Sequence, residues 1–283
     1  MLEIEPISAK FGADIVGLDL DKISDETFEE IYGAWLRYGV LRFRDQHLDE
    51  DGLQRFSQRF GPLEEIPLGR MPDEMKKKIK NLYVTVISNI VENGKPIGGL
   101  GSSEAKWHSD MTYVETPPPA SVLLGVEIPP TGGDTWFADQ YAAYDVLPEN
   151  LKERIAGLSI KHDAAHTSVG DLRPGFEAFD DPRDAPGAVH PIVSTHPESG
   201  RKCLYLGRRE WACVVGMELA ESEALLDELW RYAAREEHVI KQVWRPGDVI
   251  IWDNRCALHR RDEIDPSHRR LLRRCQVLAR QAS

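Results

Sequence analysis

The alternation of apolar and polar residues predicts two helices near the N-terminus, followed by a chain made mostly of strands. Apolar residues recur at helical spacing between Ser24 and Gly39, residue types that typically begin and end a helix. The apolar run 40–43 predicts a strand directly after this helix. A second helical pattern covers 53–60. The N-terminal part is therefore expected to place helices beside the start of a sheet.

Extended segments dominate the remainder, with one helical interruption over 221–236. The predicted strands cover 82–90, 120–128, 158–163, 189–195, 202–206, 239–244, 248–252 and 270–278. Many strands with a few flanking helices are typical of a sandwich or barrel. We find no internal repeat, low-complexity tract or linker, so residues 1–283 are expected to form one domain.

Three segments between these elements are expected to be mobile loops: 67–81, 94–106 and 164–188, rich in charged, Gly, Ser or Pro residues. Loops of this length can close over a functional site as a lid, or they can be plain solvated connections. The sequence leaves both interpretations open.

Composition narrows the class of protein. The chain of 283 residues is 41% hydrophobic with a formal net charge of -12, which argues against a surface that follows nucleic-acid phosphates. We find no apolar run near eighteen residues and no basic, apolar N-terminal signal. The four cysteines show no metal-ligand spacing, which favours a reduced compartment. These features predict a cytoplasmic protein that binds neither nucleic acid nor membranes.

Candidate chemistry begins with His108-Ser109-Asp110 and a distant His259. Residues two apart on a strand share a face, so His108 and Asp110 could bind one ion together. Two imidazoles and one carboxylate leave the opposite side of a metal open, an arrangement that Fe(II) oxygenases use. A lone His-x-Asp also occurs in solvated loops and as a hydrogen-bonded core histidine.

Six arginines lie between Arg260 and Arg274, in a chain whose net charge is negative. The planar guanidinium binds carboxylates in a bidentate manner, so this cluster suggests a site for a dicarboxylate beside the metal. The alternative is a solvated strand whose arginines pair with nearby acids. For most of the six we favour that alternative.

Several ordered motifs resemble one enzyme family, from the N-terminal Phe-Gly motifs to Arg274. These motifs are Trp107–Thr112, Glu115–Pro118, Thr131–Trp136, Pro246–Asp248, Trp252–Arg255 and His259 with the double-arginine pairs. They are similar to the Fe(II)/2-oxoglutarate dioxygenases of the taurine dioxygenase and 2,4-dichlorophenoxyacetate dioxygenase (TauD/TfdA) family. The resemblance implies a mainly β fold with flanking helices, namely a double-stranded β-helix, or jelly roll.

The same resemblance implies roles for individual residues. The iron ligands, and hence the catalytic centre, would be His108, Asp110 and His259. Arg270 would bind the distal carboxylate of 2-oxoglutarate, and Thr135 would hydrogen-bond this co-substrate. Arg274 would bind the acidic group of the primary substrate. The cofactors would be Fe(II), 2-oxoglutarate and O2, and the products succinate, CO2 and a hydroxylated acid.

The sequence departs from the taurine-type pattern on the substrate side. By counting, Ile66 and Gly69 occupy places where taurine enzymes have a His and a Tyr. An apolar residue and a glycine cannot replace that hydrogen-bonding pair, so taurine is not expected as the substrate and a larger, more apolar acid is favoured. The stretches Glu115–Ala120 and Gly200–Gly207 resemble the aryloxyacetate branch of the family. An aryloxyalkanoate-like carboxylate is therefore favoured over a sulfonate or sulfate ester. A homo-oligomer is expected.

Two other classes of function remain open. The three ligands could hold zinc in a metal-dependent hydrolase. Alternatively, the barrel could bind a small acid without chemistry.

Overall fold

The computed structural model describes residues 2–66, 68, 76–77 and 79–279. Its N-terminal part contains two helices packed on strands. The elements are β1 Glu3–Pro6, β2 Ala13–Val16, α1 Asp25–Tyr38, β3 Val40–Phe43 and α2 Glu50–Gln58. The Ser24 side chain accepts a hydrogen bond from the Thr27 amide, and Gly39 follows α1 at a φ of 71°, a conformation that glycine adopts without strain. Both predicted helices and the strand after the first are confirmed.

Most of the later elements are strands. They are β4 Thr85–Ser88, β5 Val91–Glu92, β6 Lys95–Pro96, β7 Gly99–Leu100, β8 Ala105–His108, β9 Ala120–Glu127, β10 Thr135–Asp139, β11 Ser159–Lys161, β12 Val189–Pro191, β13 Val193–Thr195, β14 Lys202–Leu204, β15 Cys213–Val214, β16 Val239–Gln242, β17 Val249–Asp253, β18 Ala257–Arg261 and β19 Leu271–Val277. The helices among them are α3 Gln140–Asp145, α4 Glu149–Ile155 and α5 Leu219–Ala233. The prediction of a mainly β protein with a few helices is confirmed.

Two sheets carry most of these strands. The larger has the order β1-β2-β3-β17-β9-β19-β4-β7, and the smaller has the order β16-β10-β18-β8. Strands that are distant in sequence are neighbours in both sheets. In the small sheet, β18 lies between β10 and β8, which brings the chain around residue 259 beside the chain around residue 108.

An apolar layer joins the two sheets. Leu123, Ile250 and Trp252 of the large sheet belong to the same cluster as Phe137 and Ala257 of the small sheet. A second cluster covers the outer face of the large sheet with α1 and α2, so β17 is buried along its whole length. Burial on both faces explains why β17 reads as a continuous apolar run.

A third cluster packs α3, α4 and α5 near the small sheet. The helical stripe predicted over 221–236 lies in α5, where Leu225, Leu226 and Leu229 are fully buried. No helix among the described residues has the length and apolar character needed to cross a membrane. All four cysteines are free and buried.

Three predictions of local structure need correction or comment. Segment 94–106 is not an irregular loop, because it contains β6, β7 and the start of β8, and β7 pairs in parallel with β4. Segment 189–195 forms two strands instead of one, since β12 pairs with β11 while β13 pairs with β14. Most of segment 67–81 lies outside the described residues.

Candidate active site

His108, Asp110 and His259 converge at one end of the small sheet. His108 ends β8 and lies directly opposite His259 of β18. The Nε2 atom of each histidine is 3.7 Å from Oδ1 of Asp110. This separation is too long for a hydrogen bond but suits groups that share one ion at roughly 2.0–2.2 Å each. These residues are the one such cluster within the described part of the chain.

Asp110 reaches the cluster from a turn and not from the strand. The prediction that one strand carries both His108 and Asp110 is wrong, because β8 ends at His108 and Met111 has a φ of 50°. The chain leaves the sheet at Ser109, whose amide donates to the Gly207 carbonyl and whose hydroxyl donates to the Asn254 carbonyl at 2.6 Å.

Neighbouring groups orient two of the three candidate ligands. Nδ1 of His108 lies 2.7 Å from the Lys106 carbonyl; a carbonyl only accepts, so Nδ1 carries the proton and Nε2 keeps its lone pair. The Ser121 hydroxyl donates to Oδ2 of Asp110 at 2.6 Å, leaving Oδ1 facing the histidines. Such partners fix ligands in the orientation that a metal needs.

The local electrostatics favour the metal-binding forms of these groups. Burial and, to a smaller extent, the neighbouring His108 lower the pKa of His259 to about 3, against the opposing effect of Asp110. Burial likewise lowers the pKa of His108. Burial alone would raise the pKa of Asp110, but His259, Arg274 and other neighbours lower it to about 2. At neutral pH both imidazoles are thus neutral and the carboxylate is ionised, as metal ligation requires.

Arg270 lies just before β19 and is almost fully buried. Its Nη2 donates to the Gly133 carbonyl at 3.0 Å, whereas its Nε has no partner among the described residues. Burial and, to a smaller extent, the nearby Arg261 lower its pKa to about 9, against the opposing effect of Asp134. A buried guanidinium without an adjacent carboxylate is expected to bind an anion.

Thr135 lies at the start of β10. The indole Nε1 of Trp244 donates to the Thr135 hydroxyl oxygen at 3.0 Å, so the hydroxyl proton remains available for a ligand.

Arg274 points from β19 toward the metal-binding cluster. Its Nη1 is 3.9 Å from Oδ1 of Asp110, and its buried Nε has no partner in the described chain. The adjacent Arg273 turns the other way and pairs with Glu50 at 3.2 Å. Arg274 is therefore placed to bind an anion close to the metal.

Comparison with known proteins agrees with this geometry. The model of the "Taurine catabolism dioxygenase TauD, TfdA family" matches residues 3–276. This chain belongs to that family. It is 34% identical to the (S)-phenoxypropionate/alpha-ketoglutarate-dioxygenase of Sphingobium herbicidovorans, over 99% of this chain and 96% of the relative. It is 35% identical to the alpha-ketoglutarate-dependent 2,4-dichlorophenoxyacetate dioxygenase of Cupriavidus pinatubonensis, over 96% of each.

A solved structure is also similar to this chain. The structure of AAD-2 in complex with Mn(II) and N-oxalylglycine superposes with a TM-score of 0.77 at 29% identity, over 99% of this chain and 98% of that one. The predictions of a 2-oxoglutarate-dependent dioxygenase, and of Fe(II), 2-oxoglutarate and O2 as its cofactors, are confirmed.

The substrate side of this TauD/TfdA enzyme is only partly described. Ile66 is buried and its amide donates to the Leu82 carbonyl at 2.8 Å, whereas Gly69 lies outside the described residues. Half-buried Glu64 was missed by the sequence reasoning. Burial raises its pKa, Arg274 lowers it and Asp110 raises it further, so this carboxyl group lies near Arg274.

The arginine cluster divides into two groups of three. Arg260, Arg269 and Arg273 pair with acids, as the solvated-strand interpretation expects. Arg261 and Arg270 are instead buried without a carboxylate within 4 Å among the described residues, and Arg274 faces the cluster. Arg261 could have been noticed from the sequence, because it lies two residues after His259 and shares its strand face.

Proposed function

We propose that this enzyme hydroxylates a small organic acid, converting 2-oxoglutarate and O2 to succinate and CO2. The observation that carries the proposal is one arrangement of side chains: three candidate metal ligands whose atoms converge, Arg274 facing them, and Arg270 buried with no carboxylate within 4 Å among the described residues. Bound Fe(II), with 2-oxoglutarate and O2, supplies the oxidising power. The chain itself supplies binding, orientation and charge.

Each residue has a distinct proposed role. His108, Asp110 and His259 hold the iron, since their ligand atoms converge and their protonation states suit it. Arg270 binds the distal carboxylate of 2-oxoglutarate, and the free hydroxyl proton of Thr135 donates to the same co-substrate. Arg274 binds the acidic group of the primary substrate close to the metal.

The proposed substrate is an aryloxyalkanoate-like carboxylate rather than a sulfonate or sulfate ester. Two similar proteins are named for phenoxypropionate and 2,4-dichlorophenoxyacetate. The apolar Ile66 offers no hydrogen bond to a polar substrate body, and an aryl ring needs none. Ile66 and Gly69 are proposed to border this part of the pocket.

We also propose that the large and small sheets form a double-stranded β-helix and that residues 1–283 make one domain. The support is the apolar layer shared by both sheets and the pairing of strands distant in sequence. Four buried free thiols favour a reducing, cytoplasmic location.

The test measures succinate. Protein prepared without oxygen is given Fe(II), 2-oxoglutarate and O2 together with aryloxyalkanoates, alkyl sulfonates or sulfate esters. We expect an aryloxyalkanoate to stimulate succinate formation most, and His259→Ala to abolish it. His47→Ala, which removes an exposed histidine, is the matched control and should keep full activity.

The two rival classes give different results in this assay. A hydrolase would convert its substrate without O2, and a non-catalytic barrel would bind the acid without forming succinate. Either result, with Fe(II) bound, would refute the proposal.

A further inference from the structure

Arg261 occupies the same strand face as the candidate metal ligand His259. In the pairing of β18 with β10, His259 lies opposite Phe137 and Arg261 lies opposite Thr135. Residues directly opposite on antiparallel strands point to the same face, with Cβ atoms about 4.5–5.5 Å apart. Arg261 is thus the cross-strand neighbour of the threonine proposed to hydrogen-bond 2-oxoglutarate.

The charge of Arg261 has no close counter-ion. The side chain is buried, and its Nη2 donates to two carbonyls, those of Leu100 at 3.2 Å and of Ser103. In the described part of the chain its Nε has no hydrogen-bond partner, and no acidic group there offsets the effect of burial on its charge. Two neutral carbonyls orient a guanidinium but do not neutralise it.

The neighbouring Arg260 shows the contrast. Its side chain lies on the opposite face of β18, where it pairs with Asp262 at 2.6 Å and with Glu104 at 3.5 Å. An arginine on this strand can therefore form ion pairs with nearby acids, as Arg260 does. Arg261 forms none with the described residues.

Arg261 and Arg270 both lie beside the segment 133–135, because Arg261 is opposite Thr135 and Arg270 donates to the Gly133 carbonyl. Arg261 is the nearby charge that acts most strongly on the Arg270 guanidinium, and the opposing Asp134 is itself paired with Lys241 at 2.8 Å. Two buried like charges are unfavourable unless an anion lies near both. The distal carboxylate of the co-substrate is an anion that would lie there.

We propose that Arg261 is a second anion-binding residue of the co-substrate pocket, which together with Arg270 selects a 2-oxo acid that carries a distal carboxylate. This inference rests on the proposed co-substrate site. Its consequence is selectivity, because two cations penalise a ligand that leaves both of them without an anion.

The test compares two ligands that differ only in the distal carboxylate. Binding of 2-oxoglutarate and of 2-oxopentanoate to the Mn(II)-loaded enzyme is measured by calorimetry without oxygen, so no turnover occurs. Arg261→Gln should weaken 2-oxoglutarate roughly tenfold or more, as the loss of a charged partner predicts. The same substitution should change the affinity for 2-oxopentanoate by less than about twofold. Arg260→Gln removes the same charge from the other face of the strand and should change neither ligand.

Two further variants keep the outcomes distinct. If Arg270→Ala weakens 2-oxoglutarate and Arg261→Gln does not, or if Arg261→Gln weakens both ligands equally, the role of Arg261 is refuted while the co-substrate site stands. If Arg270→Ala also leaves 2-oxoglutarate binding unchanged, the proposed co-substrate site is itself wrong. Should Arg261→Gln not fold, Arg261→Lys takes its place, with an expected loss of about threefold confined to 2-oxoglutarate, because lysine keeps the charge but not the fork.

Discussion

At the scale of single residues, Gly133 shows how tightly the chain is built around Arg270. A Cβ atom at this position would lie 2.9 Å from both Cδ and Nε of Arg270. The Gly133 carbonyl is also the acceptor for the Arg270 guanidinium. The motif Gly132–Thr135 therefore leaves space for the Arg270 side chain and also binds its guanidinium.

Gly133→Ala is expected to displace the Arg270 side chain and weaken 2-oxoglutarate binding by roughly tenfold, the size of one lost charged hydrogen bond. The measurement is the Kd of 2-oxoglutarate for the Mn(II)-loaded protein. Gly157→Ala is the matched control, since Gly157 also has a positive φ but open space around its Cβ position. Equal losses in both variants would show that backbone strain, and not the collision with Arg270, is the cause.

The residues behind the candidate metal site also show where sequence reasoning reached its limit. The ligand set could be proposed from residue types and the family resemblance. The contact of Ser121 with Asp110 could not, because a serine inside the apolar run of β9 reads only as a buried polar residue. Its partner becomes visible once the turn after His108 is placed in space.

At the scale of elements, the two arginines proposed to bind acids lie in or directly before β19. Arg270 precedes the strand and Arg274 lies within it, while Arg273 points to α2. The proposed binding residues for the co-substrate and for the primary substrate are thus only four positions apart in sequence.

Substituting these arginines should separate the two binding functions. Arg270→Ala is expected to weaken 2-oxoglutarate by about two to three decades, because removing one member of a buried charge pair costs about 3–5 kcal/mol. Arg274→Ala should weaken the primary substrate and leave substrate-free turnover of 2-oxoglutarate nearly intact. The readouts are KM for each ligand and succinate formed without substrate.

Arg273→Ala is the control on the same strand, because it removes an arginine that pairs with Glu50 away from the site. An equal loss of 2-oxoglutarate affinity in the Arg270 and Arg274 variants would contradict the division of roles.

Elements with strong local signals were predictable, and elements defined by distant partners were not. α1 could be read from its apolar spacing together with Ser24 and Gly39. β7 is two residues long and forms because it pairs with β4. No local sequence pattern predicts it. The division of segment 189–195 into two strands at Ile192 has a similar cause. The strands on either side of Ile192 pair with different partners, and the Ile192 amide donates to the Leu158 carbonyl.

At the scale of the whole molecule, the proposed site spans both sheets. The two histidines belong to the small sheet. Arg274 belongs to β19 of the large sheet, and Arg270 directly precedes that strand. A metal and a co-substrate bound together would contact both sheets in the folded state and neither in the unfolded chain. Their binding free energy is then added to the free energy of unfolding.

Mn(II) with N-oxalylglycine at about a hundred times its Kd should raise the melting temperature by roughly 5 °C, since such occupancy contributes about 2.7 kcal/mol. In the Arg270→Ala variant, Mn(II) alone should raise the melting temperature as it does in the unmodified protein. The further increase caused by N-oxalylglycine should be mostly lost. Differential scanning calorimetry of chelator-treated and reloaded protein measures both. A full response of Arg270→Ala to N-oxalylglycine would place the distal carboxylate elsewhere.

The two histidines lie in the small sheet, whereas Arg274, which is proposed to bind the primary substrate, lies in the large one. This separation has a consequence for how such an enzyme can change. Mutations around β19 can alter which acid is accepted while β8 and β18 continue to hold the two imidazoles opposite each other. The oxidising centre and the choice of substrate are then separately adjustable by natural drift or laboratory selection. Libraries that vary the surroundings of Arg274 and spare the small sheet should yield many active variants with new preferences.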